Sequence, residues 1–241
     1  MKKMNKIDRR KNYFLVVDTE TANGLDDPLV YDYGFSVIDR HGNVYHRASY
    51  VIYDIFVGEA ELMKSAYYAE KIPRYEKDLK EGKRKLVQFN TARKITADIM
   101  AEYGITKVWA FNARFDRNSL NTTMRYLTKS KYRYFFPRGT EVCCIWSTAC
   151  QTICQQKAYF KFIDKNELVN KGRVKTTAEV VYRFLTNDTD FIEAHTALED
   201  VEIEAKILAR IFRQHRSLDT IPRRFPAAQV NKAYKEWKNA A

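Results

Sequence analysis

The sequence predicts an α/β fold: a mixed sheet in which three opening strands run antiparallel and later strands run parallel, flanked by helices. Two observations carry the prediction. The chain opens with three runs rich in β-branched and aromatic residues, at 13–20, 30–38 and 44–52. After residue 103, short apolar runs alternate with stretches of helical periodicity, as expected of strands that return through helices. An eight-stranded βα barrel would need more such units, and a dinucleotide-binding domain would carry a glycine-rich turn after its first strand. This chain has Asp18-Thr19-Glu20-Thr21 there.

Residues 1–12 form a basic arm ahead of a domain expected to span 13–220. In the first strand, period-two alternation puts Phe14, Val16, Asp18 and Glu20 on one face and Leu15, Val17 and Thr19 on the other. The second and third strands flank Asp39-Arg40-His41-Gly42-Asn43, a hairpin turn. The charged segment 59–103 is predicted to be mostly helical. A strand at 107–111 then runs into a helix at 113–127, which Asn112 is suited to cap. On that helix Asp116, Leu120, Met124 and Leu127 fall on one stripe facing the sheet. Thr140-Glu141-Val142-Cys143-Cys144-Ile145 reads as a further strand. Leu198, Val201, Ala205, Leu208 and Phe212 mark an amphipathic helix. Its start carries the capping-box pair Thr196 and Glu199, with His195 just outside on flexible backbone. Residues 221–241 read as a C-terminal tail.

Composition bounds the rest. With 241 residues, 45% of them hydrophobic, the chain can bury a sizeable core and is not a disordered polymer. The apolar run at 14–17 is far shorter than the about 20 residues of a membrane span, which predicts a cytoplasmic protein with no membrane partner. The 4 cysteines, Cys143, Cys144, Cys150 and Cys154, crowd into one stretch unlike a secreted disulfide framework. Cys143 and Cys144 should point to opposite faces of a strand, which disfavours a zinc site and favours buried thiols. The 42 Lys and Arg against 30 Asp and Glu give a net charge of +12, which favours an anionic partner such as nucleic acid.

The chemistry points to carboxylates. Asp18 and Glu20 project together near a strand end, Asp116 opens a buried stripe, and Asp200 sits in a helix's first turn. Such positions converge on one rim of a sheet. Four acids there need counter-charge, and hard oxygen ligands suit Mg²⁺ or Mn²⁺. The prediction is two divalent ions, about 3.5–4 Å apart, which activate a water and neutralise a leaving 3′ oxygen. His195, with a reference pKa of about 6.5, is suited to take the proton from that water.

In three ordered motifs the sequence resembles the DEDDh, or DnaQ-like, exonucleases of the ribonuclease H-like superfamily. Asp18-Thr19-Glu20-Thr21 is similar to the first motif and Asn112-Ala113-Arg114-Phe115-Asp116 to the second. His195 with Asp200 is similar to the third. The resemblance implies a ribonuclease H-like sheet and metal-dependent 3′→5′ hydrolysis of single-stranded DNA ends, releasing nucleoside 5′-monophosphates. It implies that Asp18, Glu20 and Asp200 hold the tighter ion, that Asp18 bridges to a second, and that Asp116 acts through that second ion or its water. It further implies His195 as general base, and Thr21, Asn112 and Phe115 as contacts to the terminal nucleotide. A polymerase or replication partner and a homodimer are among the associations it implies. An exoribonuclease acting on RNA ends is the neighbouring reading. A nucleic-acid-binding or partner-binding module on the same fold would belong to another class, and the intact acids and His195 argue against it.

Residues 117–140 contain no Asp or Glu but carry Arg117, Arg125, Lys129, Lys131, Arg133 and Arg138. Tyr126, Tyr132, Tyr134, Phe135 and Phe136 are interleaved with them. Cations on phosphates and rings on unpaired bases make this the expected nucleic-acid surface. The run Lys80, Lys83, Arg84 and Lys85 reads instead as a solvated face.

Overall fold

The computed structural model describes residues 7–128, 133–214 and 217–240. Among them, strands β1 (Tyr13–Ala22), β2 (Leu29–Asp39) and β3 (Val44–Ile52) open the fold. Short helices α1 (Tyr53–Phe56) and α2 (Ala60–Met63), a 3-10 turn at Ala69–Lys71, helix α3 (Ile72–Lys80) and strand β4 (Lys85–Val87) follow. Helix α4 (Phe89–Tyr103) leads to β5 (Lys107–Ala110), α5 (Ala113–Leu127), β6 (Glu141–Cys144) and α6 (Ile145–Gln151). Helix α7 (Lys157–Lys165) precedes the small hairpin β7 (Val169–Asn170) and β8 (Arg173–Val174). Helices α8 (Ala178–Thr186), α9 (Ala197–Phe212) and α10 (Ala227–Asn239) complete the described elements.

The main sheet has the order β4-β3-β2-β1-β5-β6. β1, β2 and β3 pair antiparallel, and β5 and β6 add to β1 in parallel. This is the predicted antiparallel-then-parallel arrangement, consistent with a ribonuclease H-like sheet. The segment 59–103 is mostly helical, as expected, but it also supplies β4, which pairs in parallel with Tyr50, Val51 and Ile52. Three residues are too few for a period-two signal, and the pairing is decided by tertiary contact with the sheet edge.

The alternation in β1 divides the core. Leu15 and Val17 pack with Tyr33, Phe35, Phe89 and Leu120 on one face, where α4 and α5 lie. Val16 and Trp109 pack with Val201, Leu208, Ile145 and Val181 on the other, where α6, α8 and α9 lie. Cys143 belongs to the second cluster and Cys144 to the first, as opposite strand faces require. All four cysteines are buried and free of disulfides. The turn after β2 is held by Asp39, whose Oδ1 accepts the amides of His41 at 2.9 Å and Asn43 at 3.1 Å. Residues 221–241 are more than a tail: within them α10 buries Val230 and Tyr234 against the second cluster, and Asn231 accepts the Val174 amide at 2.9 Å. The spacing of Val230, Ala233, Tyr234 and Trp237 is the helical signal that marks this packing.

One glycine fixes where α9 meets the sheet. A Cβ on Gly34, in β2, would stand 2.3 Å from the carbonyl oxygen of Ala197, the first residue of α9. Only a residue without a side chain lets the helix terminus come this close. Among the described residues, no helix is long and apolar enough to cross a membrane.

Candidate metal centre

Strand β1 delivers Asp18 and Glu20 to the α9 side of the sheet, and a register shift between Glu20 and Thr21 marks a bulge directly after the pair. Helix α9 delivers Asp200 in its first turn, over Gly34. One oxygen from each of Asp18, Glu20 and Asp200 lies within 4.8 Å of the other two. They share a cleft of about 460 Å³ with Asp116, Glu193, His195 and Glu204. The cleft sits by the carboxyl ends of the parallel neighbours β1 and β5, where side chains from several elements meet.

The group is short of positive charge. Asp18 is raised well above the usual carboxylate range by burial and then by Glu204, Asp116 and Asp200. Burial and then Asp200 push Glu20 up to about 9, with Lys71 pulling the other way. Burial and then Glu193 push Asp200 up to about 8. Oδ1 of Asp200 is buried and has no hydrogen-bond partner among the described residues. An orphaned carboxylate oxygen beside two more carboxylates is costly unless a cation takes it. The triad therefore fits a metal ion, with oxygen ligands of the kind hard divalent cations prefer.

Asp116 enters from the opposite layer. Its position on α5 is buried, and its Oδ1 accepts from the Thr19 hydroxyl at 2.9 Å. Burial holds Asp116 at about 7 against that hydrogen bond. Asn112 occupies the N-cap position of α5, but its side chain does not cap the helix. Its carbonyl oxygen instead accepts the Phe115 amide at 2.7 Å. Asn112 and Phe115 line the cleft, whereas Thr21, beyond the bulge, does not.

Two acids near the cluster escape sequence reasoning. Glu204 is 3% exposed, one helical turn past Asp200, and accepts the Phe111 amide at 3.2 Å. The spacing of four between Asp200 and Glu204 was its signal, hidden among apolar neighbours. Asp32 is fully buried and caps α9 by accepting the Ala197 amide at 3.1 Å. The expected capping box is not formed: Thr196 stands at the N-cap, but its hydroxyl donates to the Glu199 carboxylate. Asp32 takes over because it also meets Arg84 at 3.1 Å, Tyr75 at 2.6 Å and Ser49 at 3.0 Å. Arg84 is thus a buried partner and not part of a solvated run.

His195 differs from the mobile residue expected. Its backbone is left-handed, with φ of 50°. Its ring stacks on Tyr68 at 4.5 Å and 15°. Nζ of Lys71 donates to the carbonyls of Ala194 at 2.6 Å and His195 at 3.2 Å. Burial, and then Lys71, lower the imidazole below the usual histidine range. Nδ1 lies 4.0 Å from Glu193.

The basic stretch divides. Arg117, Arg125 and Arg133 are exposed, as are Tyr126 and Tyr134, while Phe135 and Phe136 are core. Lys129 and Lys131 lie outside the described residues, as do residues 1–6 of the basic arm. Fold and site together define an α/β protein with an acidic triad, able to hold a metal ion, by the ends of parallel strands. The chain matches no protein-family model and no curated protein sequence.

Proposed function

We propose that the protein is a metal-dependent 3′→5′ exonuclease, hydrolysing phosphodiester bonds at single-stranded DNA ends and releasing nucleoside 5′-monophosphates. The observation that carries this reading is the meeting of Asp18, Glu20 and Asp200, with its orphaned Oδ1, beside His195 in one cleft. Asp18, Glu20 and Asp200 would hold a divalent cation, Mg²⁺ with Mn²⁺ as substitute, and Asp18 with Asp116 a second. Bound there, such ions supply positive charge that acidifies a water and offsets charge on the leaving 3′ oxygen.

The chain's own residues do the rest. His195, neutral near pH 7 because burial lowers it, takes the proton of the attacking water. Nδ1 is turned towards Glu193, which leaves Nε2 for that proton. The water oxygen attacks phosphorus, and the bond to the 3′ oxygen of the penultimate nucleotide breaks. Phe115 and Asn112 line the cleft on the α5 side, where a terminal nucleotide would lie. The exposed Arg117, Arg125 and Arg133 offer charge to the phosphates that follow, so binding should weaken steeply with salt.

Matched 5′-labelled single-stranded DNA and RNA, incubated with Mg²⁺, with Mn²⁺ and with EDTA, test the reading. A ladder that shortens from the 3′ end only with metal supports it, and the faster sugar names the substrate. Salt-sensitive binding without cleavage of either strand would leave a binding module and overturn the nuclease.

A further inference from the structure

The segment between β3 and α4 has no part in the motifs, yet it meets the candidate base directly, through Tyr68 and Lys71. Tyr68 precedes the 3-10 turn at Ala69–Lys71, and Lys71 ends it. The Tyr68 ring lies nearly parallel to the imidazole of His195, 4.5 Å away, and so covers a face while leaving the nitrogen-bearing edge open. Lys71 Nζ sits 4.2 Å from the centre of the same Tyr68 ring. That ammonium also accepts no freedom of its own: it donates to the two successive carbonyls of Ala194 and His195.

Those carbonyls border a residue in a costly conformation. A left-handed histidine is strained by about 1 kcal/mol and persists where surrounding contacts over-determine it. Here the contacts come from this segment, through Lys71, and from Asp200, whose carboxylate accepts the His195 amide. The segment is itself fixed to α9 through Arg74 with Glu199 at 2.6 Å, and to β2 through Arg84 with Asp32 at 3.1 Å. Asp32 in turn caps the first amide of α9, the helix that carries Asp200.

We infer that Tyr68 and Lys71 are positioning residues that hold the backbone and ring plane of His195 at the cleft, an inference that rests on the nuclease reading. The imidazole is presented ready oriented, so less of its freedom is lost when substrate binds. Tyr68 acts through its ring face and Lys71 through the two carbonyls.

The test compares Tyr68→Phe and Tyr68→Ala, each alone and combined with His195→Ala, on a labelled single strand. Tyr68→Ala is expected to lower kcat by about tenfold with KM and metal affinity unchanged, and Tyr68→Phe to restore the rate. In the His195→Ala background, Tyr68→Ala should cost nothing further. An equal loss with and without His195, or a Tyr68→Phe protein as slow as Tyr68→Ala, overturns the inference. A second readout is independent of cleavage. The imidazole protons of His195 should show a ring-current shift in the nuclear magnetic resonance spectrum that Tyr68→Ala abolishes. Its absence from the unmodified protein would refute the stack and the inference, whereas a protein that shows the shift but cleaves nothing would overturn the nuclease reading, and with it the positioning role, while leaving the stack itself standing.

Discussion

At Asp18, stability and chemistry oppose each other. Burial and the neighbouring Glu204, Asp116 and Asp200 all disfavour its charged form, so the folded protein holds a carboxylate where an apolar or neutral group would be cheaper. Asp18→Ala is expected to abolish cleavage while raising metal-free stability by about 1 kcal/mol, read by calorimetry in EDTA. A marked fall in melting temperature would show that Asp18 holds the fold and is not stored repulsion. At this scale the sequence was informative for Asp18, Glu20, Asp116 and Asp200, because strand alternation and helix phase decide where each points. His195, on a loop before α9, was placed in the cleft but not in its held conformation. Tyr68 and Lys71 were not legible. Their meeting with His195 joins positions more than a hundred residues apart in sequence, as the Lys71 bond to the His195 carbonyl shows with its separation of 124. No local pattern records such a contact.

Helix α9 is the element on which the site depends. It is brought against β2 at Gly34, capped by Asp32 and tied to the segment after β3 through Glu199. Gly34→Ala would drive a methyl into the Ala197 carbonyl, and the helix terminus must shift to admit it. The expected cost is about 1–3 kcal/mol of stability and a larger fractional loss of activity, because Asp200 moves with the helix. Denaturant titration alongside the strand-cleavage assay separates the two; full activity with lowered stability would show that Asp200 does not follow Gly34. The existence and phase of α9 were readable from its apolar spacing. Its cap was misread, since Thr196 and Glu199 fit a local pattern while the winning partner, Asp32, comes from another strand. β4 was missed for a related reason: pairing with Tyr50, Val51 and Ile52, and not its own three residues, makes it a strand.

For the molecule as a whole, the acid cluster sets the pH dependence of stability. Without metal, Glu20 is held at about 9, Asp200 at about 8 and Asp116 at about 7, against about 4 for carboxylates in an unfolded chain. Between about pH 4 and 8 the folded state therefore binds more protons than the unfolded one, so metal-free stability falls as pH rises through that window. A divalent cation competes with those protons and should stabilise the protein more at about pH 8 than at about pH 5.5. Thermal scans with EDTA and with Mg²⁺ at the two pH values check this. A melting temperature in EDTA that climbs with pH, or an Mg²⁺ effect larger in acid, would count against the cation site.

The capping of α9 by Asp32 also has a temporal meaning. Donor and acceptor of that bond stand 165 residues apart. On a ribosome adding about 5–20 residues per second, the two strands carrying Asp18, Glu20 and Asp32 emerge on the order of ten seconds before the helix that completes the triad. A growing chain can pair its opening strands during that interval, but it cannot yet gather three carboxylates around a cation. Any capacity that depends on the triad is therefore withheld until synthesis has passed α9.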